Sequence, residues 1–158
     1  MLRRFLPLVV VVAAGCGGAS KPAAPAPKSL VEPYIAIQET LARDSLEKLS
    51  ELSAQVVVAA EPVQNQASVD EMVAGAGRVA AQDIDTARAG FQKMSMGLIT
   101  YLKAHTEQRS GYEVVFCPMA FNNKGAYWVQ KTGEIVNPYH GMMMLHCGDK
   151  VTWDKAPG

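Results

Sequence analysis

The stretch IDTARAGFQKMSMGLITYLKAH, residues 84–105, decides the fold. Its apolar positions Ile84, Ala87, Phe91, Met94, Leu98, Tyr101 and His105 advance by alternating steps of three and four, which keeps one face of a helix apolar along its whole length. Asp83 and Asp85 stand at its start, where carboxylates suit the positive end of the helix dipole, and Ser110-Gly111 supplies a stop.

Upstream, Tyr34, Ile37, Leu41, Leu49, Leu52, Val56 and Ala59 follow the same rule, so the spacing predicts one helix from Tyr34 to Glu61-Pro62, where proline ends it. Ser68 with Glu71 three residues later reads as a capping box opening a second helix along Met72, Val73, Ala76, Val79 and Ala80. Gly75 and Gly77 each weaken that helix by about 1 kcal/mol relative to alanine, so it is short, bent or closely packed. Such stripes must bury against one another. The expected architecture is mainly α, an antiparallel up-and-down bundle of three helices, or four, carrying a small C-terminal β-hairpin or sheet. Met72, Met94 and Met96 at helical spacing read as core filler, and His105 as a packed or terminal residue.

After Gly111 the period becomes strand-like over Tyr112–Phe116, Ala126–Gln130 and Met142–Cys147, with turn chemistry at Asn122-Asn123-Lys124-Gly125, Lys131-Thr132-Gly133 and Asn137-Pro138-Tyr139-His140-Gly141. In an extended chain Cys117 and Met119 would share one face. Met142, Met144 and His146 would share another, opposite Met143, Leu145 and Cys147. Four of the eight methionines and two cysteines thus gather between Cys117 and Gly148. Thiolates and thioethers select Cu(I) over harder ions, and the imidazoles of His140 and His146 are borderline donors that also suit other thiophilic or borderline metals. Packing of Met142–Met144 into a hydrophobic gap is the competing explanation of the run.

The N-terminus reads as an export signal: Arg3 and Arg4, the apolar run Phe5–Val12, then Ala13-Ala14-Gly15-Cys16. The small residues before Cys16 resemble a lipobox, which makes Cys16 the lipidated first residue of the mature chain, although Ala13 stands where Leu or Val is usual. An ordinary cleaved signal is the alternative. Gly17, rather than Asp, follows the cysteine, which in enteric-type sorting points to the outer membrane rather than the inner, with the protein facing the periplasm. Gly17–Ser29, with Pro22, Pro25 and Pro27, is a tether reaching roughly 40 Å at about 3.1 Å per residue. The expected organisation is signal 1–15, lipidated cysteine and tether 16–29, one domain 30–150, and a tail 151–158. No mature stretch is apolar enough to span a bilayer, so the lipid is the membrane attachment.

Loss of Arg3 and Arg4 takes the chain from 15 basic and 15 acidic residues to 13 against 15, a charge of −2 with no basic cluster, which argues against nucleic acid as a partner. There is no C-x-x-C, C-x-x-C-H, H-E-x-x-H or G-x-S-x-G. Glu32, Glu47 and Glu51 lack the Glu-x-x-His pairs of a di-metal site, and an enzyme is not expected.

Several spaced motifs resemble one family: Cys117-Pro118-Met119-Ala120, Gly125-Ala126-Tyr127-Trp128, Glu134-Ile135-Val136-Asn137-Pro138-Tyr139 with Gly141, and Met144-Leu145-His146-Cys147-Gly148. This is the bacterial envelope domain of unknown function numbered thirty-three forty-seven, which also occurs fused to periplasmic adaptor subunits of CusB-type heavy-metal efflux systems. Asp44 and the run from Asp83 through Arg88 to Phe91 and Ser95 look like its helical part, so the resemblance spans about Val31 to Gly148. It implies Cys117, Met119, Met144 and Cys147 as the metal-handling set, with an efflux adaptor as a partner. His140 and His146 depart from the family's pattern, and each adds a nitrogen donor.

Two functional readings stand. One is a lipid-anchored carrier of Cu(I) or a related metal, accessory to efflux. The other is a non-catalytic envelope adaptor or scaffold stapled by a Cys117–Cys147 disulfide, the common fate of exported cysteine pairs. Closing about thirty residues this way would contribute roughly 3 to 4 kcal/mol.

Overall fold

The computed structural model describes residues 29–158, so the expected signal, the expected lipidation at Cys16 and all but the end of the expected tether lie outside the described residues. The chain is mainly helical with a small three-stranded antiparallel sheet near its C-terminus. Helices α1 (Val31–Ala42), α2 (Leu49–Ala60), α3 (Ala67–Val79) and α4 (Ile84–Ala104) come first, followed by β1 (Tyr112–Cys117), the four-residue turn α5 (Ala120–Asn123), β2 (Ala126–Lys131) and β3 (Asp149–Val151). Among the described residues no helix is long and apolar enough to cross a membrane.

The single helix expected from Tyr34 to Glu61 is broken into α1 and α2. The stripe has a gap of eight between Leu41 and Leu49, and five of the seven residues between them, Arg43, Asp44, Ser45, Glu47 and Lys48, are polar. Asp44 and Lys48 adopt positive φ there (55° and 61°), and the amides of Arg43, Asp44 and Ser45 turn back onto the Thr40 and Leu41 carbonyls. The capping box is also corrected. The helix begins one residue earlier than Ser68, and the Gln66 carbonyl receives the Val69 and Asp70 amides with no side-chain cap. By contrast Asp83 does cap α4, accepting the Thr86 amide at 2.8 Å, and this bond holds its carboxyl below the usual carboxylate range.

Helices α3 and α4 make the most intimate pair, because glycines let their backbones approach. A Cβ on Gly75 would meet the Met94 amide nitrogen and the Gly90 carbonyl at 2.6 and 2.7 Å, and Gly90 is equally tight against Gly75 and Val79. Gly77 faces open space. Met72 and Met94 are fully buried between these helices and their neighbours, and His105 stacks on Tyr101 at 4.0 Å with Nδ1 2.8 Å from the Tyr101 carbonyl oxygen.

β1 is the central strand, paired antiparallel with β2 (Val115 opposite Trp128) and with β3 (Val114 opposite Val151). The third strand is therefore not Met142–Cys147, as the sequence suggests, but Asp149–Val151. Gly141 at φ 56° starts a 3₁₀ turn, Gly141–Met143, and the Met144 and Cys147 amides bond locally to the Gly141 and Met144 carbonyls, so no ladder forms there. The residues read as a tail are docked. Ala156 is buried, Lys103 Nζ donates to the Ala156 and Gly158 carbonyls at 2.8 and 2.6 Å, and the Arg109 guanidinium lies 4.9 Å from the Trp153 ring centre.

Sheet and helices are joined by a buried polar chain. Tyr34 Oη lies 2.7 Å from Ser95 Oγ and accepts the Val129 amide, while Tyr139 donates to the Tyr127 carbonyl at 2.6 Å and lies 3.3 Å from Ser95 Oγ. Burial raises the pKa of both tyrosines, so they act as neutral hydrogen-bonding groups. Ser95→Ala leaves two buried phenols with one partner fewer each and is expected to cost about 1–2 kcal/mol in urea unfolding. A loss below 0.5 kcal/mol would show that Ser95 does not join the two layers.

Candidate metal centre

The two cysteines arrive from different elements. Cys117 ends β1, opposite Ala126, and is fully buried. Cys147 sits in the loop before β3, and that loop is organised by Asn137. Its side-chain amide donates to the Cys147 carbonyl at 2.7 Å, its backbone amide donates to the Leu145 carbonyl at 2.7 Å, and its Oδ1 receives the amides of Tyr139 and His140. Asn137 is itself completely buried, so the loop carrying Cys147 is held from inside. The result brings Cys117 Sγ and Cys147 Sγ to 3.3 Å, each cysteine being free.

A second clasp fixes the methionine turn. Arg88, on α4 and only 12 % exposed, donates from Nη2 to Asp44 Oδ1 at 2.6 Å and to the Leu41 carbonyl, and from Nε to the Pro138 carbonyl at 2.8 Å. Asp44 Oδ2 receives the Met142 amide at 2.9 Å. This amide, and then the guanidinium, holds the Asp44 carboxyl below the usual carboxylate range. Gly141 is required here twice over: its φ is positive, and a Cβ would fall inside the Asp44 carboxylate.

Met142 and Met143 are 64 % and 85 % exposed, and with Met144, Leu145, His146 and Cys147 they line an open depression of about 520 Å³. His146 Nδ1 lies 2.7 Å from the Ile135 carbonyl oxygen, to which it can only donate, so in the neutral ring Nε2 carries the lone pair. A histidine anchored this way through one nitrogen is ready to ligate through the other. The remaining two sequence candidates do not line this depression. The strand ends at Cys117, and Met119 takes an αR conformation (φ −86°, ψ −13°) with its side chain 45 % exposed, so the shared extended face with Cys117 does not exist. His140 lines a separate cavity with Arg88, Asn122 and Tyr139. Among the described residues no group of three or more His, Cys, Asp and Glu side chains is placed to hold a metal ion, so any site here depends on methionine sulfur.

Burial, then the neighbouring Cys117 sulfur, pushes the Cys147 thiol up to about 11. Near neutral pH that thiol is therefore protonated. A metal bound there must displace its proton, so apparent affinity is expected to rise about tenfold per pH unit for each thiol proton released. Competition titrations between pH 6 and 8 check this, and a flat profile would mean that the thiols are not ligands.

Asp44, Arg88, Asn137 and Gly141 form the scaffold of the site, and the sequence shows them only as a helix residue, a family position and turn residues. The signal that could have found Asn137 and Gly141 is the Asn-Pro turn that leads, through Tyr139 and His140, to a glycine opening a methionine run. No family model, no curated protein and no solved structure matches this chain.

Proposed function

We propose that this is a lipid-anchored envelope protein that binds a soft metal ion, Cu(I), and acts without catalysis as a carrier or accessory in heavy-metal efflux, a periplasmic adaptor being the recipient. In this reading α1 to α4 form an up-and-down antiparallel bundle, and the sheet and sulfur loop are its working end. The observation that carries the proposal is the approach of Cys117 Sγ to 3.3 Å from Cys147 Sγ, with Cys147 at the edge of a methionine-lined depression. Two thiolates, the Met144 thioether and the free nitrogen of His146 match the softness of Cu(I). A site with one buried and one accessible sulfur suits transfer by stepwise ligand exchange. The resemblance to the envelope family and the lipobox-like Ala13–Cys16 support the location.

Anaerobic titration of the full chain with Cu(I) against a competing chelator tests the proposal, beside the Cys117→Ser, Cys147→Ser double variant. Tight stoichiometric binding lost in the double variant is expected. Equal binding by both proteins would overturn it.

The same sulfur contact favours a second reading, a disulfide-stapled scaffold, since little motion separates 3.3 Å from a bond of about 2.05 Å. Absence of Cu(I) binding by the reduced chain, together with a bridge that forms in air and raises the melting temperature, would select this reading.

A further inference from the structure

The two cysteines are unequal in access. Cys117 is fully buried, whereas Cys147 is only half-buried and opens onto the depression that Met142, Met143 and Met144 also line. An oxidant in solution therefore reaches Cys147 and not Cys117, and a thiol carried past the sulfenic stage to sulfinic or sulfonic acid is lost to metal and to disulfide alike. Met142 and Met143 stand at the same opening, 64 % and 85 % exposed, the two highest values among the large apolar side chains of the described residues. A thioether is soft and polarisable and has no proton to lose before its sulfur can act as a nucleophile. Nothing in the turn depends on that sulfur. The Met142 amide donates to Asp44 Oδ2 at 2.9 Å, the Met144 amide to the Gly141 carbonyl at 3.2 Å and the Cys147 amide to the Met144 carbonyl at 3.0 Å, and none of these bonds uses a methionine side chain. Met72 and Met94 are the opposite case, fully buried in the core, where a polar sulfoxide would disrupt the packing. Met119 is 45 % exposed and does not line the depression, which makes it an internal control.

We propose that Met142 and Met143 are a modification site, at which hypohalous acid forms methionine sulfoxide ahead of attack on Cys147, so that the pair shields that thiol. The sulfur lone pair attacks the chlorine of hypochlorous acid, the O–Cl bond breaks and hydroxide leaves. Water then adds to the chlorosulfonium sulfur, chloride departs with the S–Cl bonding pair, and two protons are released, one of them to the hydroxide. Thioether and hypochlorous acid thus give sulfoxide and hydrogen chloride, the sulfur losing two electrons and the chlorine gaining them. Sulfoxide reductases, one for each epimer, restore the thioether, so the pair can act again. No metal enters the step, and neither methionine belongs to the set of Cys117, Cys147, Met144 and His146, so the inference stands apart from the metal reading.

The test treats the full chain, reduced and free of metal, with one equivalent of hypochlorous acid and maps every methionine and cysteine by peptide mass spectrometry. Sulfoxide is expected mainly at Met143 and Met142, about tenfold or more above Met72 and Met94, with most Cys147 thiol still open to alkylation and the melting temperature unchanged. The Met142→Leu, Met143→Leu double variant keeps the apolar volume and every backbone bond of the turn. In it the loss of Cys147 thiol should rise about twofold or more, with a smaller rise in Met143→Leu alone. Met119→Leu should leave the loss unchanged, which separates placement at the depression from exposure alone. Without oxidant, Cys147 should be alkylated by iodoacetamide at equal rates in wild type and double variant, so that an opened turn does not account for the effect. Equal loss of Cys147 thiol in wild type and double variant, an equal rise in Met119→Leu, or alkylation of the untreated double variant faster by the same factor would overturn the proposal.

Discussion

Gly75→Ala is expected to destabilise the chain by about 3 kcal/mol, although alanine is the better helix former by about 1 kcal/mol. The reason is the identity of the atoms in the way. A methyl at position 75 meets the Met94 amide nitrogen and the Gly90 carbonyl oxygen, which are backbone atoms of α4 and cannot rotate aside. The helices must separate, and the buried side chains between them, Met72, Ala76, Phe91 and Met94, lose contact together. Gly77 is the internal control. It lies on the same helix two residues away with nothing near its Cβ position, so Gly77→Ala should stabilise by about 0.5–1 kcal/mol. Urea unfolding of the two variants followed by circular dichroism separates packing from propensity. Equal effects, or stabilisation by both, would mean that α3 and α4 are not in backbone contact.

Arg88→Met should cost about 2–4 kcal/mol and should do so at the sulfur loop as well as in the bundle. The substitution keeps the aliphatic stem but removes every bond to the Leu41 and Pro138 carbonyls and to Asp44. The half-exposed Asp44 keeps some hydration, which limits its share of the loss. Asp44 would then hold the Met142 amide without its own anchor, so exchange of that amide and alkylation of Cys147 should both accelerate. In a double-mutant cycle with Asp44→Asn the two losses should add to less than their sum, since they break one clasp. The pH dependence has a definite sign. The Asp44 carboxyl is held low in the folded chain, so its stabilisation is present above its ordinary value and is lost as pH falls through about 4 and below. The Arg88→Met variant should show a shallower acid loss. Additive losses, or an unchanged acid slope, would separate Arg88 from the methionine turn.

The helical part was largely legible, because periodicity reports burial: Phe91, Met94, Leu98 and Tyr101 sit in the core where the stripe puts them. The break between α1 and α2 was hidden, because eight residues between apolar positions fit both a continuous helix and an interrupted one. Within the break Asp44 takes a positive φ and meets Arg88 across 44 residues, a contact no local pattern reveals. The first two strands were readable from their β-branched and aromatic residues. The third was misplaced because apolar character at Met142–Leu145 looks like a strand, whereas the pairing partner of β1 is the polar Asp149–Val151, selected by register with Val114 and Phe116. At the site, the pairing of Cys117 with Cys147 was within reach of cysteine arithmetic. The end of the extended face before Met119 and the place of His140 in a second cavity depended on backbone turns at Pro118 and Gly141 that no side-chain count reveals.

The strand order β2-β1-β3 also bears on the sequence of events by which the molecule assembles. Contacts between α3 and α4 span few residues and close quickly, whereas β3 must find β1 from more than thirty residues away, and such distant pairings form late. Cys147 travels with β3, so Cys117 waits exposed while the rest of the chain is already organised. During that interval it is open to capture by any foreign thiol or stray ion. Pulsed alkylation during refolding should find Cys117 protected only when β3 docks, and protection at the earlier stage of helix formation would show that the sheet closes first.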